Sequence, residues 1–312
     1  MTLVLIAGPG HPELARATAR ALGTEPAACR IERFPDGELH VEVEAHVRGA
    51  DVYVVQPTSP PADVRLVELL FLADACRLSG AARVTAVVPY LGYARQDRRT
   101  HPGEPLGARM VASLIGTAGV DRVVALDLHA AAIESAFPVP VEHLSAVPRL
   151  VEAIGREAAG NGVVVSPDLG AVHRAERFAR LLDLPMAVVH KTRVGAADVV
   201  TSGLTGEVRG RRPIIVDDMI STGGTIEAGA HAMLDAGAEP DIVVAATHAV
   251  LPRRAAERLA PLPIRRLVVT DSVEAPADLA APIERVGVAS LLAEAILRLH
   301  RGEPVRDLVS RT

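Results

Sequence analysis

Apolar residues along this chain come in short, nearly unbroken runs. TLVLIAG (2–8), DVYVVQP (51–57), RVTAVVPY (83–90), DRVVALDLH (121–129), GVVVSPD (162–168), RPIIVDDM (212–219), DIVVAATH (241–248) and RLVVTDS (266–272) are rich in Val and Ile, and each stops at a polar or turn cluster. Runs without clean alternation predict strands covered on both faces, as in parallel sheets. Segments of helical period lie between them: HPELARATARALG (11–23), closing at Gly23, and ADVRLVELLFLADACRLSG (62–80), closing at Gly80. GELHVEVEAHVRG (37–49) alternates instead, which predicts a half-exposed antiparallel strand or flap. The last helical segment, ASLLAEAILRLHRG (289–302), is amphipathic and fits against either half of the chain.

Strand–helix alternation implies an α/β fold with parallel sheets. Eight or so strands satisfy one barrel or two open sheets. The halves look loosely alike, which favours two similar open, mostly parallel-sheet domains, 1–142 and 143–312, meeting near residues 140–146. A length of 312 residues suits that division, at ~100–200 residues per domain. No low-complexity linker marks the join.

A net charge of -5 and a pI of about 6.1 point to no general nucleic-acid or membrane-surface binder, while leaving room for basic residues clustered around an anionic small molecule. Cys29 and Cys76 have no CxxC spacing, so neither a zinc framework nor a disulfide scaffold follows; they read as ordinary thiols of a reducing cytosol. The start, MTLVLIAGPGHPE, has no basic leader and reads as a first strand and turn rather than a signal peptide. No apolar run approaches the ~18 residues needed to span a bilayer. A cytoplasmic protein is expected.

Ligands of open α/β sheets bind beyond the carboxyl ends of the strands. Gln56, Arg95 to Asp97, Asp127 and His129, Asp168, Asp217 and Asp218, and His248 all fall at such ends, and together they predict an active-site rim. IIVDDMISTGGT (214–225) is the most informative stretch. Ile214 to Val216 reads as strand, 221–225 as turn and 226–237 as helix. Glycines admit close backbone approach to a phosphate, and the helix start adds unpaired N–H groups and a positive dipole end. Ser221, Thr222 and Thr225 add hydroxyl donors beside Gly223 and Gly224. Two carboxylates would repel that phosphate unless they face another part of the ligand. A phosphorylated sugar resolves the conflict, with phosphate in the loop and ribose hydroxyls, or a cation, at Asp217 and Asp218. No GKS or GKT follows the glycines, so this is not a Walker A loop.

VDDMISTGGT resembles the phosphoribosyl-pyrophosphate-binding signature shared by type I phosphoribosyltransferases and ribose-phosphate pyrophosphokinases. RFPDGELHVEV (33–43), VVQPTSPP (54–61), VPYLGYARQDRR (88–99), DLHA (127–130), VVSPDLGAVHRA (164–175) and HKTR (190–193) look like motifs of the second family, in that family's order and over most of the chain. The chain is therefore identified as resembling the ribose-phosphate pyrophosphokinase (phosphoribosyl pyrophosphate synthetase) family. That family joins ribose 5-phosphate and ATP into 5-phosphoribosyl 1-pyrophosphate and AMP.

The resemblance implies an N-terminal ATP-binding domain with a flap and a C-terminal ribose-5-phosphate domain. Diphosphoryl transfer gathers negative charge on the β-phosphoryl group, so cations and positioning matter more than covalent chemistry. Mg²⁺ is the implied cofactor, favouring phosphate oxygens plus one or two protein ligands, here matched by His129 and Asp168. Lys191 and Arg193 match the family's catalytic pair on a mobile loop, and VGAADVVTSG (194–203) reads as lid. Thr192 between them, and PGEP (102–105), resemble the archaeal-type branch. Arg95, Gln96 and Asp97 would take ATP, as would Phe34, Asp36 and Glu38 of the flap, with Phe34 stacked on adenine. Asp217 and Asp218 would engage the ribose 2- and 3-hydroxyls, and Ser221, Thr222, Gly223, Gly224 and Thr225 the 5-phosphate. The family usually presents the flap across a subunit interface, which implies a homo-oligomer, a dimer or hexamer of dimers. Where the family often has Gln after DLHA, this chain has AAIESAF (131–137), a departure that bears on subunit contacts and effector sites. Two rivals remain. A phosphoribosyltransferase accounts for 214–225 but leaves FPDGE and YARQDRR without a task. A non-catalytic regulatory subunit leaves His129, Lys191 and Arg193 unused.

Overall fold

The computed structural model describes residues 1–155, 160–193, 199–274 and 283–309. Its chain divides into two compact units. The first holds Met1–Ser145, Ser272–Glu274 and the segment from Val288; the second holds Ala146–Asp271 and Ala275–Gly287.

The first unit is built on five parallel strands in the order β1 (Leu3–Ala7), β4 (Asp51–Val55), β5 (Arg83–Val88), β6 (Arg122–Leu126) and β7 (Val141–Leu144). Between β1 and β4 a separate antiparallel hairpin stands out, β2 (Cys29–Arg33) paired with β3 (Leu39–Val43). Helices α1 (Pro12–Ala21), α2 (Ala62–Leu78) and α3 (Gly107–Thr117) complete the crossovers. α1 starts with Pro12 in its first turn, and His11 accepts the Leu14 N–H at 3.3 Å as N-cap. One face of the sheet, with Val52, Val54, Val84, Ala86, Val123 and Ala125, packs on Leu69, Leu72 and Cys76 of α2 and Ala112 and Ile115 of α3. Both faces are covered, so the strands read as unbroken apolar runs.

The second unit carries seven strands in the order β10 (Val199–Thr205), β9 (Met186–Arg193), β8 (Gly162–Ser166), β11 (Arg212–Ile220), β12 (Ile242–Ala249), β13 (Ile264–Thr270) and β14 (Ile283–Val286). All neighbours are parallel except β9 and β10. α4 (Val147–Ile154) and α5 (Val172–Leu182) pack on one face through Val164, Ile214, Val216 and Val243. α6 (Gly224–Asp235) and α7 (Arg253–Leu259) pack on the other through Val163, Val165, Ile215 and Val244. From β8 the chain adds β9 on one side and later β11 on the other, so strand order reverses between β8 and β11. A crevice opens at such a switch point, beyond the carboxyl ends of the two strands.

The last helix, α8 (Ala289–Arg301), belongs to the first unit and packs on α1. It is fastened there by a buried carboxylate. Asp51 is fully buried and takes the Tyr53 hydroxyl at 3.0 Å, Arg83 Nε at 2.6 Å with a second Arg83 nitrogen beside it, and His300 Nδ1 at 2.7 Å. Burial alone would raise the Asp51 pKa, but Arg83 and His300 outweigh it and hold it below the usual carboxylate range.

Two parts of the sequence pattern are corrected by the fold. Strands 29–33, 141–144, 186–193, 199–205 and 283–286 add to the eight apolar runs. They are short, lie at sheet edges or carry polar residues, so burial does not write them as apolar blocks. Residues 199–203, expected within a lid loop, form part of β10, while 194–198 lie outside the described residues.

Candidate active site

β11 runs to Ile220, four residues further than the apolar run suggests, so Asp217 and Asp218 are strand residues rather than loop residues. The turn is therefore only 221–223, and α6 begins at Gly224, making Gly224 and Thr225 its first residues. Gly223 sits at φ +77 as N-cap, a left-handed conformation that suits glycine. A Cβ there would meet the carbonyl of Ala255 at 3.4 Å, an ordinary contact, so the backbone conformation and not space is what asks for glycine. Arg258 of α7 steadies the turn, donating from Nη1 to the Thr222 carbonyl at 3.1 Å and pairing through Nε with Glu227 at 3.1 Å. The result is a rigid backbone concavity at the positive end of a helix, suited to a phosphate.

Asp168 caps the short 3-10 turn that follows β8, its Oδ1 accepting from Gly170 N at 2.9 Å and Ala171 N at 3.2 Å. Ser166 Oγ donates to the Asp168 carbonyl at 2.7 Å. This bonding fixes the carboxylate beside the switch point. Asp217 and Asp218 share one cation, Arg174 Nη1, at 3.8 Å from an oxygen of each. Burial first, then the Asp218 charge, pushes the Asp217 carboxyl well above its ordinary range, against the pull of Arg174; Asp168 adds to the rise. Two adjacent carboxylates thus sit beside Arg174, with the charge of Asp168 felt at Asp217. That is an environment which sugar hydroxyls would relieve. Sequence reasoning missed Arg174 and Arg258. Both come from helices, and only packing brings a helix side chain to a strand end; the VHRA that follows SPD was the one available hint for Arg174.

In the first unit, Arg95, Gln96 and Asp97 follow β5 in a turn that opens on Tyr93 at φ +63, with Gln96 N–H bonded to the Tyr93 carbonyl at 2.9 Å. Arg95 and Gln96 are exposed. The Gln96 side chain lies over Gly107 at the start of α3, where a Cβ would come within 2.4 Å of its Oε1. His129 is exposed on the loop after β6, which turns at Asp127 with φ +37. The β2–β3 hairpin presents Phe34, 49% exposed, with its ring centroid 5.2 Å from that of His40. Asp36 Oδ1 accepts from Glu38 N at 3.1 Å and so shapes the hairpin tip. Lys191 and Arg193 fall in β9, where their backbones pair with Thr201 and Val199; their side chains lie outside the described part of the structure.

The predicted rim is narrower than expected. Gln56 is fully buried: its Oε1 accepts from Gly10 N at 2.8 Å and its Nε2 donates to the Arg65 carbonyl and Glu68. It is a brace that meets buried hydrogen-bonding demand, not a ligand group. His248 and Asp127 are buried as well. A cavity of about 360 Å³ in the first unit lies at the amino ends of β5, β6 and β7, lined by Arg83, Arg122, Glu142 and Arg306 among others, away from the ends that carry His129 and Arg95. Among the described residues no three His, Cys, Asp or Glu side chains group as a metal cage, and no helix is long and apolar enough to cross a membrane.

Residues 3–119 match the family model described as the N-terminal domain of ribose phosphate pyrophosphokinase, and 142–278 match the phosphoribosyl transferase domain. A ribose-phosphate pyrophosphokinase of Gloeobacter violaceus is 44% identical over 98% of this chain and 92% of its own length. One from Staphylococcus saprophyticus is 43% identical over 96% and 94%. The crystal structure of phosphoribosylpyrophosphate synthetase from Mycobacterium smegmatis superposes with a TM-score of 0.91 at 39% identity, covering 97% of this chain and all of that one. These likenesses run through both units, and with them the chain belongs to the ribose-phosphate pyrophosphokinase family.

Proposed function

We propose a division of labour for the family's reaction in this chain: the first unit takes ATP and the second takes ribose 5-phosphate. As a ribose-phosphate pyrophosphokinase, the chain transfers the diphosphoryl group of ATP to the C1 hydroxyl of ribose 5-phosphate. The C1 oxygen bonds to the β-phosphorus, the bond from that phosphorus to the α-phosphate bridging oxygen breaks, and AMP departs. The observation that carries the assignment is the sequence of acids, left-handed glycine and helix start on β11 and α6.

In this reading the turn 221–223 and the first N–H groups of α6 hold the 5-phosphate, with the hydroxyls of Ser221, Thr222 and Thr225 beside Gly223 and Gly224. Asp217 and Asp218 accept the ribose 2- and 3-hydroxyls, which fixes the direction in which C1 points. Arg95, Gln96 and Asp97 take the nucleotide, with Arg95 toward its phosphates. Phe34 lies flat on the adenine, with Asp36 and Glu38 beside it. Lys191 and Arg193 supply positive charge where the β-phosphoryl group gains negative charge. His129 and Asp168 would hold Mg²⁺ together with ATP. When bound, Mg²⁺ neutralises phosphate oxygens, and the sparse protein donor set fits an ion that takes most of its ligands from phosphate and water.

The large exposure of Phe34 supports a homo-oligomer in which a neighbouring subunit covers the hairpin, and the paucity of cysteines supports a cytoplasmic setting. A phosphoribosyltransferase acting on a nucleobase would leave the matched N-terminal domain without a task. Incubation with ribose 5-phosphate, ATP and Mg²⁺ is expected to give AMP and 5-phosphoribosyl 1-pyrophosphate in equal amounts. ADP as the nucleotide product would overturn the assignment.

A further inference from the structure

The AAIESAF segment, which departs from the family pattern, supplies a carboxylate that the reaction itself does not use. Residues Ala131–Ala136 form a 3-10 turn, anchored in the core by buried Ile133. Glu134 of this turn lies 2.7 Å from Nδ1 of His143 on β7. His143 is buried, and its Nε2 accepts the backbone N–H of Leu128 at 2.8 Å. A ring nitrogen that accepts an N–H carries no proton, so the proton resides on Nδ1 and is donated to Glu134. The carboxylate therefore selects the tautomer, and the tautomer provides the acceptor.

The backbone receiving this support is unusual. Asp127 turns the chain at φ +37, a region disfavoured for residues with a side chain. Its own N–H is held by the Leu144 carbonyl at 2.9 Å, and the next N–H, that of Leu128, by His143. Two successive amides are thus tied to two successive residues of β7 immediately before the exposed His129. Without the second tie, a buried N–H would lack its partner and the strained turn would lose a restraint.

We propose that His143 is a positioning residue for His129, and that Glu134 sets the tautomer in which it does so. The Glu134–His143–Leu128 relay fixes the peptide that aims the His129 ring. The claim rests on the role proposed for His129 with ATP and Mg²⁺, and its test keeps the two apart. Amide hydrogen exchange of the metal-free protein reads the relay directly. In His143→Leu the Leu128 amide is expected to exchange much faster while the amides of β6 stay protected. Turnover should fall about 10–100-fold, the range typical of residues that orient a metal-site ligand, with KM for ribose 5-phosphate unchanged. His143→Gln, whose side-chain carbonyl reaches near the Nε2 position, should restore both readouts to within a few-fold. Glu134→Ala is the gentler variant at a half-exposed site; it should show the same pattern in smaller measure. Unchanged Leu128 exchange in both His143→Leu and Glu134→Ala overturns the relay. Faster exchange with full turnover overturns the positioning claim. If His129→Ala also keeps full turnover, the error lies in the role given to His129.

Discussion

The β11 turn and the β2–β3 hairpin are both proposed to bind ligand, yet they are built on opposite principles. The turn is braced from all sides. Its acids lie in a central strand, Arg174 stands between them, Arg258 ties the Thr222 carbonyl, and Gly223 occupies a conformation few residues tolerate. The hairpin is a two-stranded ribbon that rests on the core through partly buried Cys29, Ile31, Val41 and Val43, while its tip with Phe34 is exposed and surface pairs such as Arg30 with Glu44 at 2.6 Å line its outer side. Exposed pairs of this kind contribute little, and a ribbon held by a few partly buried side chains is less firmly fixed than a central strand. The contrast teaches a division of roles. A phosphate needs fixed donors, because misplacement weakens every bond at once. A flat aromatic base tolerates an arm that moves into place, because stacking depends weakly on rotation in the plane.

Substitutions that act on one ligand alone give the sharpest attack on this contrast. Phe34→Ala is expected to raise KM for ATP about 10–100-fold, from the ~1–3 kcal/mol of a base–aromatic stack, with KM for ribose 5-phosphate unmoved. Steady-state kinetics varying each substrate in turn check it; a rise for both substrates would erase the division. Gly223→Ala should do the converse, raising KM for ribose 5-phosphate about 10-fold from the ~1–2 kcal/mol cost of a left-handed residue with a side chain. Arg258→Ala removes a brace without touching ligand, and about 5-fold in the same constant is expected from a hydrogen bond of ~1 kcal/mol. Calorimetric titration of ribose 5-phosphate against each variant tests the ordering.

The smallest effect concerns stability. The pKa of Asp217 is raised in the fold, so between its ordinary and raised values the native state binds more protons than the unfolded chain. Stability therefore declines as pH climbs through that window and is lowest above it. Asp217→Asn removes the penalty, so its Tm should exceed that of the parent at neutral pH. The gain should vanish below the ordinary carboxylate range, where both proteins are uncharged at this position. A lower Tm at neutral pH would show that Arg174 depends on the carboxylate more than the carboxylate suffers from burial.

Much of this arrangement was legible in the chain as written, for identifiable reasons. Central parallel strands must be apolar on both faces, so β4, β8 and β12 announce themselves as blocks of Val, Ile and Ala. Phosphate turns need glycine and a helix start, so 221–225 stood out. Edge strands obey neither constraint, and β10 and β14 passed unseen. Strand-end polarity proved ambiguous, since Gln56 satisfies buried backbone and an active-site residue would look the same in sequence. Arg174, Arg258 and the Glu134–His143 pair act across elements, and no spacing along the chain encodes who faces whom.

The knot at Asp51 has a consequence for how the protein comes into being. β4 leaves the ribosome early, but its buried carboxylate lacks one of its partners until His300 has been synthesised, after the whole second unit. A nascent chain halted before Ala289 would lack the His300 bond to Asp51 and leave α1 without the helix that packs on it. The first unit to be translated is thus the last to be finished.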